Sequence, residues 1–191
     1  MIPKEIAERQ KRLEQEIIGN LTPSRFNELA LEIFKIQSSY CHPYKEYISL
    51  LGIDAKKITS VDKIPFLPIT LFKNHVVTCF DGEPQALFAS STTTGTIPSL
   101  HYVKSTSLYQ KSFTEGFQLF FGHPSNFTIV ALLPSYLERE NSSLIFMRQH
   151  LIEQSGKEES GFYLYNHQKL LESLTTLQKR ESATILFGKA V

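Results

Sequence analysis

The run Phe127-Thr128-Ile129-Val130-Ala131-Leu132-Leu133 constrains the fold more than any other stretch of this chain. Successive side chains of a strand point to opposite faces of a sheet. A strand that is apolar at nearly every position must therefore be covered on both sides. The flanking sequence supplies the covers. Residues 105–121 carry helical spacing and stop at Gly122. Residues 141–154 do the same, with Leu144, Met147, His150 and Leu151 near one face. A strand over 161–165, a helix over 167–180 and a strand over 183–187 come next. A β-α-β-α-β order with short links predicts an α/β fold, a mostly parallel sheet flanked by helices.

The first part of the chain is helical. Ile2, Ile6, Leu13 and Ile17 fall on one face of a helix over 3–18, with Lys, Arg and Glu on the rest. Thr22-Pro23 restarts the chain as an N-cap followed by Pro at the first helical position. Phe26, Leu29, Ala30, Ile33, Phe34 and Gln37 continue with helical spacing. Tyr40, Tyr44, Tyr47, Ile48 and Leu51 suggest a short third helix closed by Gly52. Residues 64–73, with Pro65 and Pro68 in an apolar stretch, read as an extended segment wrapped on the core. Residues 76–80 read as a strand, Asp81-Gly82 as a turn and residues 86–89 as the next strand, so that a hairpin leads into a polar stretch starting at Ser90. The expected organisation is a helical segment over 1–60 packed on an α/β lobe over 61–191.

Composition excludes several classes. The chain has 191 residues, 20 Lys and Arg against 19 Asp and Glu, and a net charge of +1. That balance gives no electrostatic basis for nucleic-acid binding. The two cysteines, Cys41 and Cys79, have neither the spacing nor the His neighbours of a metal site, and they read as reduced thiols. No apolar run reaches membrane-spanning length and no secretory signal opens the chain, which predicts a cytoplasmic protein. Neither Gly-x-x-x-x-Gly-Lys-Ser/Thr, Gly-x-Gly-x-x-Gly nor Gly-x-Ser-x-Gly occurs.

After the strand over 86–89 comes Ser90-Ser91-Thr92-Thr93-Thr94-Gly95-Thr96-Ile97-Pro98. Two readings stand. Hydroxyls and turned backbone N–H groups donate to anionic oxygens, and Gly permits the tight turn, so the segment suits phosphate. The same residue types also make an ordinary polar turn.

Several segments together resemble one family. The Ser90–Gly95 stretch with Pro98-Ser99 is similar to the Ser-Ser-Gly-Thr-Thr-Gly phosphate loop of adenylate-forming enzymes. Ile64-Pro65-Phe66-Leu67-Pro68-Ile69 with Phe72-Lys73 resembles the segment preceding that loop in bacterial acyl-protein synthetases of the luciferase type. Ala131-Leu132-Leu133-Pro134-Ser135-Tyr136-Leu137-Glu138-Arg139 with Ser142-Ser143-Leu144 resembles a further signature of that branch. Thr184-Ile185-Leu186-Phe187-Gly188 resembles a strand near the middle of those proteins. The resemblance runs from about residue 20 to the end, and would span about the first half of a full-length member.

The resemblance implies part of the large N-terminal domain of an adenylate-forming enzyme. Such a ligase activates a fatty acid, or another carboxylic acid, with ATP and Mg²⁺. It then passes the acyl group through a thiol to an acceptor. Ser90, Ser91, Thr92, Thr93, Thr94 and Gly95 would contact phosphate. Pro134, Ser135 and Tyr136 would lie at the substrate, with Thr70 and Lys73 near the site; for Lys73 a solvated surface amine is the other reading. No catalytic residue and no metal ligand is assigned. The ribose-holding acid, the adenine-facing segment, the lid lysine and the acyl-accepting cysteine would lie beyond residue 191. The chain alone is therefore expected to be inactive and to need an acyl-accepting partner or the remaining half. Thr92 stands where the family loop carries Gly, and Leu100 where relatives often carry a basic residue. These departures support an alternative, a non-catalytic relative acting as a binding module or partner subunit.

Overall fold

The computed structural model describes residues 1–90, 97–133 and 141–188. The chain is α/β and divides into two compact units, Met1–Leu108 and Tyr109–Val191. Among the described residues no helix is long and apolar enough to cross a membrane.

The first unit is built on α1 (Lys4–Glu16), α2 (Pro23–Tyr40) and α3 (His42–Leu50). The Thr22 side chain accepts the Arg25 amide at 3.2 Å and Pro23 opens the helix, so α2 starts where its cap dictates. Helix α2 serves two clusters. Leu29, Ile33, Ile36 and Tyr40 pack with Ile6 and Leu13 of α1 and with Ile17 just after it. Phe34 packs with Cys41 and with Tyr44 and Ile48 of α3, its ring edge-on to Tyr44 at 6.1 Å. Phe26, expected with this apolar set, is exposed, and packing begins one turn later at Leu29.

Downstream, the structure departs from the sequence pattern in three ways. Residues 64–73 are not extended throughout. After Pro68 the chain coils into α4 (Leu71–Asn74), with the Leu71 amide donating to the Pro68 carbonyl at 3.0 Å. Proline lacks a donor but keeps its acceptor, so the turn can begin directly after it. Residues 76–80 do not form a strand. Val77 and Cys79 instead pack against the helices, and the Gln10 side chain donates to the Cys79 carbonyl at 2.7 Å. Finally, β1 (Ala86–Ala89) pairs forward with β2 (Leu100–Val103). The pair is antiparallel, in register Ala86 to Val103 and Ala89 to Leu100. Asp81-Gly82 still bends the chain, with Gly82 at φ +88°, and the Asp81 carboxylate accepts the Ile2 amide at 2.5 Å.

The second unit follows the expected order. It holds most of α5 (Thr106–Phe121), then β3 (Thr128–Leu132), α6 (Ser143–Ser155), β4 (Gly161–Phe162), α7 (His167–Lys179) and β5 (Thr184–Gly188). The strand order is β4-β3-β5 and both pairings are parallel. Ile129 faces Phe117 and Leu151 of α5 and α6, whereas Val130 faces Tyr163 and Leu177. The central strand is thus buried on both faces, as its apolar run requires. The α6 face differs in detail: Ile145 and Leu151 are buried, and Leu144 is exposed. Ser142 caps α6, and Gly156 ends it at φ +61°.

Candidate functional site

The hairpin β1–β2 carries the hydroxyl-rich segment as its connection. At its base the Ser90 amide donates to the Ser99 carbonyl and the Ser99 amide donates to the Ser90 hydroxyl oxygen, each at 3.0 Å. Ser90 is exposed and bridges the two strands at this point. Ser91, Thr92, Thr93, Thr94 and Gly95 lie outside the described residues, as do Pro134, Ser135 and Tyr136.

A cavity of about 580 Å³ lies within the first unit. That is an ordinary size for a small-molecule site. Leu13 of α1, Ile17 just after it, and Ile33 and Ile36 of α2 form one side. Residues 64–67, Phe72 and residues 77–80 form another, and residues 101–104 close the third. Most of the wall is apolar, and Gln10 and Glu14 of α1 and Gln37 of α2 interrupt it with polar side chains. On β2 and just beyond it, exposed His101 and Lys104 also line the space. The His101 ring packs on Phe72, with centroids 5.8 Å apart. Lys73, on α4, is exposed and does not line the cavity.

Three titratable side chains at the cavity wall stay neutral near neutral pH. Burial pushes the Tyr44 hydroxyl up to about 12, helped by the nearby Tyr47 and Cys41. Tyr44 therefore remains a donor, and it bonds the Pro65 carbonyl at 2.6 Å. Burial pushes the Cys79 thiol up to about 11, with Cys41 adding to the shift. The Cys41 thiol is also raised by burial, opposed by the Tyr44 backbone amide. Neither cysteine is held as the thiolate that a nucleophile requires. Among the described residues no group of three or more His, Cys, Asp or Glu side chains could hold a metal ion. The space is large enough to admit a small, mostly apolar molecule, with polar side chains of α1, α2 and β2 at its wall.

The cavity was not legible in the sequence. It is assembled from α1, α2, two stretches of irregular chain and one strand. No local pattern marks it, since the connection between residues 86–89 and 100–103 is longer than a recognisable hairpin turn.

No protein-family model matches the chain, and no curated protein or solved structure matches it.

Proposed function

We propose that the chain is a lobe of an ATP-dependent acyl-protein synthetase-like ligase, part of the large domain of an adenylate-forming enzyme. It holds a fatty acid in the cavity and the nucleotide phosphates at Ser90–Gly95. One observation carries the reading: the strand that closes the cavity is continuous with the hydroxyl-rich segment. Ser99 at the hairpin base is two residues from His101 at the cavity, about 7 Å along a strand. An acyl chain in the apolar space would present its carboxylate at the β2 end, toward the segment that would grip phosphate.

ATP supplies the phosphorus that the carboxylate attacks, and Mg²⁺ arrives on the triphosphate, its usual mode where few protein carboxylates are offered. The protein's part is to orient the carboxylate and to offset charge on the departing pyrophosphate with hydroxyl and backbone donors. The acyl acceptor is a thiol on a partner or on a further half, because burial holds Cys41 and Cys79 protonated.

Calorimetric titration of Mg-ATP into the chain tests this. Saturable heats, abolished in the Thr94→Ala, Gly95→Ala double variant, are expected. Equal heats from the variant, or none from the native chain, would remove the nucleotide from the reading. In that event the second reading applies, a non-catalytic binding module. The commitment of the Ser90 hydroxyl oxygen to the Ser99 amide favours it. A fluorescent fatty acid would then still bind, while pyrophosphate exchange would be absent even with candidate partners.

A further inference from the structure

We propose that Cys41 and Cys79 form a reversible intramolecular disulfide that narrows the cavity of the first unit, so that oxidation controls what the cavity holds. Both residues line that cavity and both pack in the cluster of Phe34 and Tyr44. Cys41 is the joint between α2 and α3. Its amide donates to the Gln37 carbonyl at 2.9 Å, closing the last turn of α2. The Cys79 sulfur lies 3.9 Å from the carbonyl oxygen of Ile36. In a helix that carbonyl is bonded by the amide four residues on, here Tyr40, the immediate neighbour of Cys41. The Cys79 thiol therefore lies against the last turn of α2, the turn that Cys41 follows.

Cys79 sits on irregular chain between α4 and β1, free of any helix or sheet ladder. A local shift of that chain can bring the Cα atoms within the span of a disulfide, about 4.4–6.8 Å. The bridge would pull residues 77–80, already against the end of α2, closer to Cys41 and tighten the cavity wall there.

The oxidant is a low-molecular-weight disulfide such as oxidised glutathione. One cysteine thiolate attacks a glutathione sulfur and expels one glutathione thiolate. The second cysteine then displaces the other glutathione from the mixed disulfide. The cysteines lose two electrons and two protons, and one glutathione disulfide becomes two thiols. Because burial keeps both thiols protonated, exchange is slow at neutral pH and passes through the cavity, so an occupant protects the pair. None of this depends on nucleotide binding.

The full chain is equilibrated in glutathione redox buffers, quenched with acid, alkylated and weighed. A monomer lighter by two hydrogens, without a glutathione adduct, is expected, and it should not form in Cys41→Ser or in Cys79→Ser. The apolar probe 1-anilinonaphthalene-8-sulfonate should bind the oxidised chain about tenfold more weakly, reversed by dithiothreitol and insensitive to oxidation in Cys79→Ser. Cys79 is only half-buried, so this variant keeps the test sound if Cys41→Ser fails to fold, with circular dichroism as the check. A stable single-cysteine adduct, disulfide-linked dimers or persistent free thiols would each overturn the disulfide. A disulfide that leaves probe binding unchanged would overturn the control.

Discussion

In the second unit Ile129, Val130 and Ala131 have 0% of their surface exposed, whereas the helices of the first unit stand around about 580 Å³ of open space. The difference follows from the elements available. A parallel sheet with a helix on each face has no interior left to fill. In the first unit three helices, a proline-interrupted segment and a two-stranded hairpin turn apolar side chains toward a space they do not fill. One unit has a filled core and the other an open space beside its core. Function in this chain is to be sought where the packing is incomplete.

Paired truncations test that contrast most severely. Ile129→Ala removes a side chain with packed atoms on every side, and should cost about 3 kcal/mol. Ile33→Ala removes a half-buried wall of an existing cavity, and should cost about 1 kcal/mol. Urea unfolding, read for each unit by amide exchange, measures both. Equal costs would mean that the cavity is filled or collapsed in solution, and the contrast would fail. A larger loss of apolar-probe affinity in Ile33→Ala than in Ile129→Ala would sharpen it.

The second unit was the more legible of the two, for the same reason. The double-sided run at 127–133 demanded helices on both faces, and the helix periods on either side of it agreed. Local signals and tertiary need pointed the same way. In the first unit only locally determined features could be read: the Thr22-Pro23 start of α2 and the Gly52 stop of α3 are both present. The partner of β1 could not be read, because Asp81-Gly82 looked like a hairpin turn and its neighbours looked like strands. In fact Val77 and Cys79 serve the helical clusters. Of the candidate site, Ser90 and Lys73 fall within the described residues. The cavity beside Ser99 emerged only from contacts between segments far apart in sequence.

Removing one polar contact at the cavity wall should act less strongly. Tyr44→Phe strands the Pro65 carbonyl, and a cost of about 1–2 kcal/mol is expected from unfolding midpoints. The pH response of the native chain reports on the same wall. Cys79 rises from an ordinary 9.0 to about 11, and Tyr44 from 10.0 to about 12. Both groups are neutral when protonated, so above 9.0 the unfolded chain releases protons that the folded chain retains. Their stabilising contribution is complete below that point and is lost as pH rises toward about 11 and 12. The urea midpoint should therefore fall through that alkaline window, and fall less steeply in Cys79→Ala. A midpoint with the same slope in both proteins would place the Cys79 thiol in water and leave the cavity wall open there.

The smallest effect compares one helix end from each unit. Helices α3 and α7 finish with the same pair of bonds. Gly52 N–H donates to Ser49 and Ile53 N–H to Ile48; Glu181 N–H donates to Gln178 and Ser182 N–H to Leu177. The first unit puts glycine in the left-handed position, Gly52 at φ +69°, and the second puts Glu181 there at φ 50°. A Cβ in that conformation crowds the following carbonyl, at a cost of about 1 kcal/mol. Glu181→Gly should stabilise the second unit by about that amount, and Gly52→Ala should destabilise the first by a similar one. Glu181→Ala serves as the control, since it removes the charge and keeps the strain. If alanine stabilises as much as glycine, the carboxylate rather than the backbone is what the end of α7 resists.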